Sequence, residues 1–231
     1  MDRFSVSSDD LRRMVAFRCA DELMTPEMPE FACDDLCGLP LPALEQAVIG
    51  LLKPNRVAHV LGCRDTAVRL AIIWGVDETD AARAALLHDI TKALDGPLQL
   101  VLCRAYGMEL DDFSVHNPKT LHALTGSMVA QQVFGENDAV VRAIRSHTTG
   151  KADMNMLEKI IYVADYMEPN RDFPGVEKLR QLAFSDIDQA LKLGLEMTLD
   201  MLRRQGKEIS KESQEALAWL ENEKDEKDEK G

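Results

Sequence analysis

Ala84-Ala85-Leu86-Leu87-His88-Asp89-Ile90 is an apolar run that carries an imidazole and a carboxylate side by side. Polar side chains in such a setting cost free energy unless something compensates them. The same tension recurs at His59, His122 and His147, and at Asp165, which follows Ile160-Ile161-Tyr162-Val163-Ala164. One shared metal ion would compensate several of these groups at once. Imidazole with carboxylate is ligand chemistry suited to iron, manganese or zinc. The order His, His-Asp, His, His, Asp therefore reads as a metal-centred site built from side chains far apart in the chain.

Outward from that run, helical spacing recurs and no stretch alternates apolar and polar residues for long. Asp77 is placed to cap the helix that carries Ala81 to Ile90, and Asp80 adds a first-turn charge. Upstream, helices are expected over 9–24, 42–52 (with Pro42 at its start) and 57–74, the last stopped by Gly75. Downstream they are expected from Gly96 to Tyr106 and over 121–134, 138–147, 154–167, 176–184, 186–204 and 211–222. Residues 25–42 and 108–119 read as loops. The fold class is all-α: a helical bundle with bent topology and an N-terminal helical extension. The expected division is a partly helical extension over 1–50, a catalytic unit over 51–222, and a charged tail over 223–231 that reads as a frayed helix end or disorder.

The 231 residues suffice for one large domain with a proper core. A net charge of −13 gives no electrostatic footprint for nucleic acid or an anionic membrane, so neither is an expected partner. A phosphate compound would need local cations, with bound metal the obvious source. No signal peptide or membrane span is evident, and a reduced cytoplasmic setting is the default. Cys33 and Cys37 are spaced for zinc, but no second pair lies nearby, and ordinary thiols are the plainer reading. The oligomeric state is open, with a two-fold homodimer the commonest soluble arrangement.

Taken singly, each site residue has a bland account. His88-Asp89 arises by chance in many chains; His59, His122 and His147 fit as satisfied core histidines; Asp165 could face solvent. Lys92 shares a helix face with His88 and Asp89, which would set its ammonium beside the metal. His116, beside Asn117-Pro118, reads as a loop histidine. No P-loop, dinucleotide fingerprint, Gly-x-Ser-x-Gly elbow or His-Glu-x-x-His is present.

His59, His88-Asp89 and Asp165 together resemble the metal signature of HD-domain phosphohydrolases. The strings Leu86-Leu87-His88-Asp89-Ile90-Thr91-Lys92, Ala143-Ile144-Arg145-Ser146-His147-Thr148-Thr149-Gly150 and Glu158 to Arg171 are similar to the YqeK family within them. The resemblance runs from about Leu51 to Asn222. It implies symmetrical cleavage of diadenosine tetraphosphate to two ADP. It makes His59, His88, Asp89 and Asp165 the ligands of one ion, usually iron, ferrous or ferric, with Mn, Co or Zn as alternatives. His122 and His147 match histidines that hold a second ion or else face the phosphates. Arg56, Lys92, Thr148 and Arg171 match positions near the nucleotide. Asp89, Lys92, His122 and His147 would carry the catalysis, with Asp89 or a histidine accepting a proton and Lys92 and Arg171 stabilising phosphoryl charge. The chain departs from the family at His59-Val60, usually His-Thr, and at Ile90-Thr91, usually Tyr-Ala; neither change removes a ligand. The alternatives are an HD-domain nucleotidase or pyrophosphohydrolase acting on other nucleotides, and a nucleotide-sensing metal protein that does not turn over.

Overall fold

The computed structural model describes residues 36–229, with side chains described through Asn222. The helix expected over 9–24, Cys19 and Cys33 lie outside the described residues. Among them the chain forms eleven α-helices and no strand: α1 (Leu41–Leu51), α2 (Pro54–Trp74), α3 (Glu78–Leu87), α4 (Gly96–Ala105), α5 (Asp112–His116), α6 (Leu121–Gln132), α7 (Asp138–Ser146), α8 (Met156–Met167), α9 (Val176–Ala183), α10 (Ile187–Arg204) and α11 (Lys211–Glu229). None is long and apolar enough to cross a membrane.

Local chemistry sets the boundaries. Pro54 opens α2, where its missing N–H costs nothing, and Gly75 closes it in the left-handed region at φ 68°. Asp77 Oδ1 accepts the Asp80 N–H at 2.9 Å and caps α3. A reciprocal capping box starts α8: Asn155 Oδ1 accepts the Glu158 N–H at 3.0 Å, and Glu158 Oε2 accepts the Asn155 N–H at 2.7 Å.

The apolar string of α8 is explained by its place. It packs against α2, α3, α7, α9 and α10, and Leu157, Ile160, Ile161, Val163, Ala164 and Met167 are all buried. A helix apolar on most sides belongs in the interior. Helix α3 brings Ala81, Ala84 and Ala85, all fully buried, to the centre, and these small side chains admit α1, α2, α7 and α8 around it. Leu44, Val48 and Leu51 of α1 enter the same core. Each such side chain contributes about 1.5–3 kcal/mol by burial, enough to hold α1 in place.

Most boundaries shift by up to three residues from the sequence reading, as at the start of α2 (Pro54 where 57 was expected), and three differences bear on the site or the tail. Helix α3 stops at Leu87 rather than at Ile90; residues 88–94 continue as tight turns, with Ile90 N–H on Leu87 O, Lys92 N–H on Asp89 O and Leu94 N–H on Thr91 O. The expected loop over 108–119 contains α5 and a 3-10 turn (Pro118–Thr120), because Asp111 Oδ1 accepts the Ser114 N–H at 2.9 Å and nucleates a helical turn. Exposed His116 ends α5, so it is not a loop histidine. The backbone of α11 remains helical to Glu229, beyond the expected end at Asn222.

Arg83 of α3 fastens this core. Its guanidinium makes a double 2.7 Å bridge to buried Glu136 and a 2.8 Å hydrogen bond to Leu39 O. Removing one partner of a buried pair strands the other. Arg83→Ala should therefore lower the unfolding free energy by about 3 kcal/mol in urea titrations. A loss under about 0.5 kcal/mol, the range of an ordinary surface change, would contradict that role.

Candidate metal centre

Helix ends converge to build the site. His59 projects from within α2, His88 and Asp89 follow α3, His122 stands in the first turn of α6, His147 follows α7, and Asp165 lies in the last turn of α8. The four imidazoles are anchored alike. Each Nδ1 reaches an acceptor-only oxygen and so carries the ring hydrogen: His88 on Ala85 O (2.6 Å), His122 on Lys119 O (2.7 Å), His147 on Ile144 O (2.6 Å) and His59 on Glu168 Oε1 (3.1 Å). In the neutral rings of His88, His122 and His147 every Nε2 is then a bare lone pair, and His59 Nε2, which also has the Asp165 carboxylate at 3.1 Å, turns toward them.

Those lone pairs face one another. His59 and His88 Nε2 are 3.3 Å apart, and His122 and His147 Nε2 are 3.1 Å apart. Asp89 sits between the pairs, with Oδ2 3.7 and 3.6 Å from the first two and Oδ1 3.4 and 3.8 Å from the others. Asp165 Oδ1 adds contacts of 3.1 Å to His59 and 3.8 Å to His88. Asp89 is buried, and neither of its oxygens accepts a hydrogen bond. The Arg56 guanidinium lies against it and the Lys92 ammonium is 3.7 Å away. Clustered acceptors with orphaned buried oxygens are the arrangement a cation resolves. The donors therefore fit a divalent ion, and His59-His88-Asp89, His88-His147-Asp165 and Asp89-His122-His147 each converge closely enough to hold one.

The titration behaviour agrees. Burial pushes His88 and His122 well below the usual imidazole range, and His147 down to about 4, which keeps them as neutral ligands. Burial raises the Asp165 carboxyl, but its neighbours, the donating Arg171 guanidinium among them, outweigh it and hold it well below the carboxylate range. Burial lowers Lys92 to about 8.

The remaining predicted residues border this cluster. Lys92 Nζ donates to His122 Nε2 at 2.8 Å. The Thr148 hydroxyl lies 3.2 and 3.1 Å from Nε2 of His122 and His147. Arg171 donates to Asp165 O at 2.9 Å and Oδ1 at 2.7 Å. Lys92, His147, Thr148, Asp165 and Arg171 form one end of a cleft of about 890 Å³, whose other walls include Tyr166, Phe173, Pro174, Met197 and Arg204. The structure thus gathers every predicted site residue; His59, His88, Asp89 and His122 lie behind the cleft lining, and Arg56 is held on the Asp89 side.

Sequence reasoning missed the supports. Thr91 is buried and donates to His122 O at 3.0 Å, while Gln99 donates to Thr91 O at 2.7 Å and accepts from Thr125 at 2.5 Å. This network ties the His88-Asp89 turn to α6 and gives the unusual Thr91 a structural use. Glu168, the acceptor for His59, was also passed over. Its only signal was a carboxylate in the quoted string, directly after apolar Met167.

The chain matches the HD domain family over residues 56–170. It is 38% identical over 164 residues to "Bis(5'-nucleosyl)-tetraphosphatase, symmetrical" of Halalkalibacterium halodurans, covering 69% of this chain and 87% of that one. The Bacillus subtilis protein of the same name is 37% identical over 172 residues, covering 73% and 91%. A crystal structure of a predicted HD superfamily hydrolase involved in NAD metabolism from Clostridium acetobutylicum superposes with a TM-score of 0.78 at 37% identity, covering 80% of this chain and 98% of that one.

Among the described residues Asp89 accepts no hydrogen bond, is paired only with Arg56 and Lys92, and is placed to serve as a ligand, so its removal should act chiefly on the metal. Asp89→Ala should abolish most bound metal by elemental analysis and leave the helical circular dichroism unchanged. Full metal content in the variant would rule out Asp89 as a ligand.

Proposed function

The chain belongs to the symmetrical bis(5'-nucleosyl)-tetraphosphatase family of HD-domain proteins, and on that premise we propose that it is a metal-dependent phosphoanhydride hydrolase cutting diadenosine tetraphosphate at its centre into two ADP. The observation that carries this reading is the cluster of bare Nε2 atoms and carboxylates opening onto a cleft edged by Lys92, Thr148 and Arg171.

In this reading His59, His88, Asp89 and Asp165 would hold the metal, and His122 and His147 would hold a second ion or face the phosphates. Iron is the proposed metal, from the family resemblance and a donor set of imidazole and carboxylate that suits it. When bound, the metal supplies Lewis acidity, lowering the pKa of water toward neutrality and polarising a phosphoryl oxygen.

The chain's own groups do the rest. Lys92 and Arg171 receive the phosphate oxygens, and an incoming polyanion keeps Lys92 charged despite its lowered pKa. Arg56 leaves Asp89 to the metal and adds a third positive charge. Water attacks the second phosphorus counted from one adenosine, and the bridging P–O bond beyond it breaks, with ADP as leaving group. The proton lost by the water passes to the Asp89 carboxylate or to Nε2 of His122 or His147, which carry no hydrogen on that side. The Thr148 hydroxyl, within reach of both Nε2 atoms, donates to a phosphoryl oxygen.

The test is a product assay. Protein purified without chelator and loaded anaerobically with ferrous iron should convert diadenosine tetraphosphate to ADP alone, and chelator should abolish the reaction. AMP with ATP would overturn the central cut, and no product from metal-loaded protein would overturn the hydrolase reading. Lys92→Ala should keep its metal and lose about 10²-fold or more in kcat/KM, the usual scale for removing one group that stabilises developing charge. Loss of the metal instead would assign Lys92 to the site's structure.

A further inference from the structure

Three of the four histidines are oriented by their own helix ends. His88, His122 and His147 each donate Nδ1–H to the carbonyl three residues earlier, at the end of α3, in the 3-10 turn and at the end of α7. The backbone carbonyls of a helix interior already accept from the next turn, so a mid-helix imidazole has no such partner. His59 is the one placed mid-helix. Its acceptor comes from 109 residues away, at the end of α8.

That acceptor, Glu168, is almost wholly buried and is itself fixed. Its Oε2 accepts the Asn170 N–H at 2.7 Å and Asn170 Nδ2 at 2.8 Å, while Asn170 Nδ2 also reaches Ala58 O at 3.1 Å on α2. Arg180 donates to Met167 O at 2.9 Å, Glu168 O at 2.9 Å and Arg171 O at 2.8 Å, so it holds the whole segment. One turn after His59 stands Gly62, a residue that weakens a helix interior. A Cβ built on Gly62 would lie 2.6 Å from Glu168 Oε2 and 3.2 Å from Asn170 Nδ2. The glycine is the space into which the carboxylate fits.

We propose that Glu168 is a positioning residue for metal binding, that it holds the His59 ring through Nδ1 so that Nε2 is aimed at the ligand cluster, and that Gly62 is required because only glycine admits its carboxylate. The proposal rests on the metal-site reading above. A ligating imidazole whose other N–H meets a carboxylate is held in one tautomer and made more basic, and loss of such a partner typically costs 10–100-fold in metal affinity.

The experiment titrates cobalt(II) into chelator-stripped protein against a chromophoric competitor, with no substrate present. Glu168→Ala should weaken cobalt binding by about 10–100-fold. Glu168→Gln keeps an oxygen that accepts from Nδ1–H and should lose less. Gly62→Ala, which removes no ligand and no acceptor, should weaken binding like Glu168→Ala by displacing the carboxylate. Imidazole nitrogen NMR on the metal-free proteins should show the His59 Nδ1–H hydrogen bond in the wild type and its loss in Glu168→Ala and Gly62→Ala. Unchanged cobalt affinity in folded Glu168→Gln and Gly62→Ala, with only a lowered melting temperature, would make the pair structural and overturn the proposal. Absence of cobalt binding by the wild type would instead overturn the metal-site reading on which it rests.

Discussion

The structure turns on a set of acceptors crowded together with too few donors. Four imidazoles are each tied through Nδ1, and their second nitrogens are driven together around a buried carboxylate whose oxygens take no hydrogen bond. Among the described residues only Lys92, Thr148 and the two arginines approach with hydrogen to give, and they come from the rim. Unmet buried acceptors are destabilising, so the core is arranged for something not encoded in the chain. The termini of α3, α6 and α7 meet here because a helix end leaves carbonyls free to orient a ring. Bundle topology and ligand geometry are one constraint: moving a helix end would release an imidazole.

Charge poses a second problem. The chain carries −13 overall, yet the proposed substrate is a polyanion. Surface charges more than about 8 Å away are largely screened at physiological salt. The field at the cleft is therefore set by Arg56, Lys92, Arg171 and the divalent ion rather than by the distant acidic surface.

Helix periodicity and caps made most of the bundle legible. Gly75 and Asp77 placed the α2–α3 boundary because their chemistry is local. His88-Asp89 and Asp165 stood out because each offends an apolar setting. The illegible parts depend on distant partners. Residues 88–90 continue the apolar pattern of α3, and nothing in that pattern shows that the His88 ring would take Ala85 O and the chain turn off. Asp112–His116 is too short for periodicity to register, and its cap at Asp111 is a residue type equally at home in loops. Glu168 meets His59 across 109 residues, and Gly62 is intelligible only once both are in place. A glycine in a helix interior with no turn to make is nevertheless a readable anomaly.

A symmetrical cut needs a ruler as well as a reaction centre. The cleft offers one: the Tyr166 and Phe173 rings, edge to face at 5.2 Å, stand with Pro174 and Met197 beside Arg171 and the metal cluster. On the proposed reading a nucleoside held on that wall places its own phosphates toward Lys92 and Arg171, and the fixed span from wall to metal selects which phosphorus is attacked. Diadenosine tetraphosphate is the same from either end, so counting two phosphates from whichever adenosine docks always reaches the middle. The second nucleoside then needs no pocket of its own, and ADP is both the retained and the departing product. The span from aromatic wall to ligand cluster is fixed because Tyr166 is adjacent in sequence to Asp165, at the end of the helix that holds the core together.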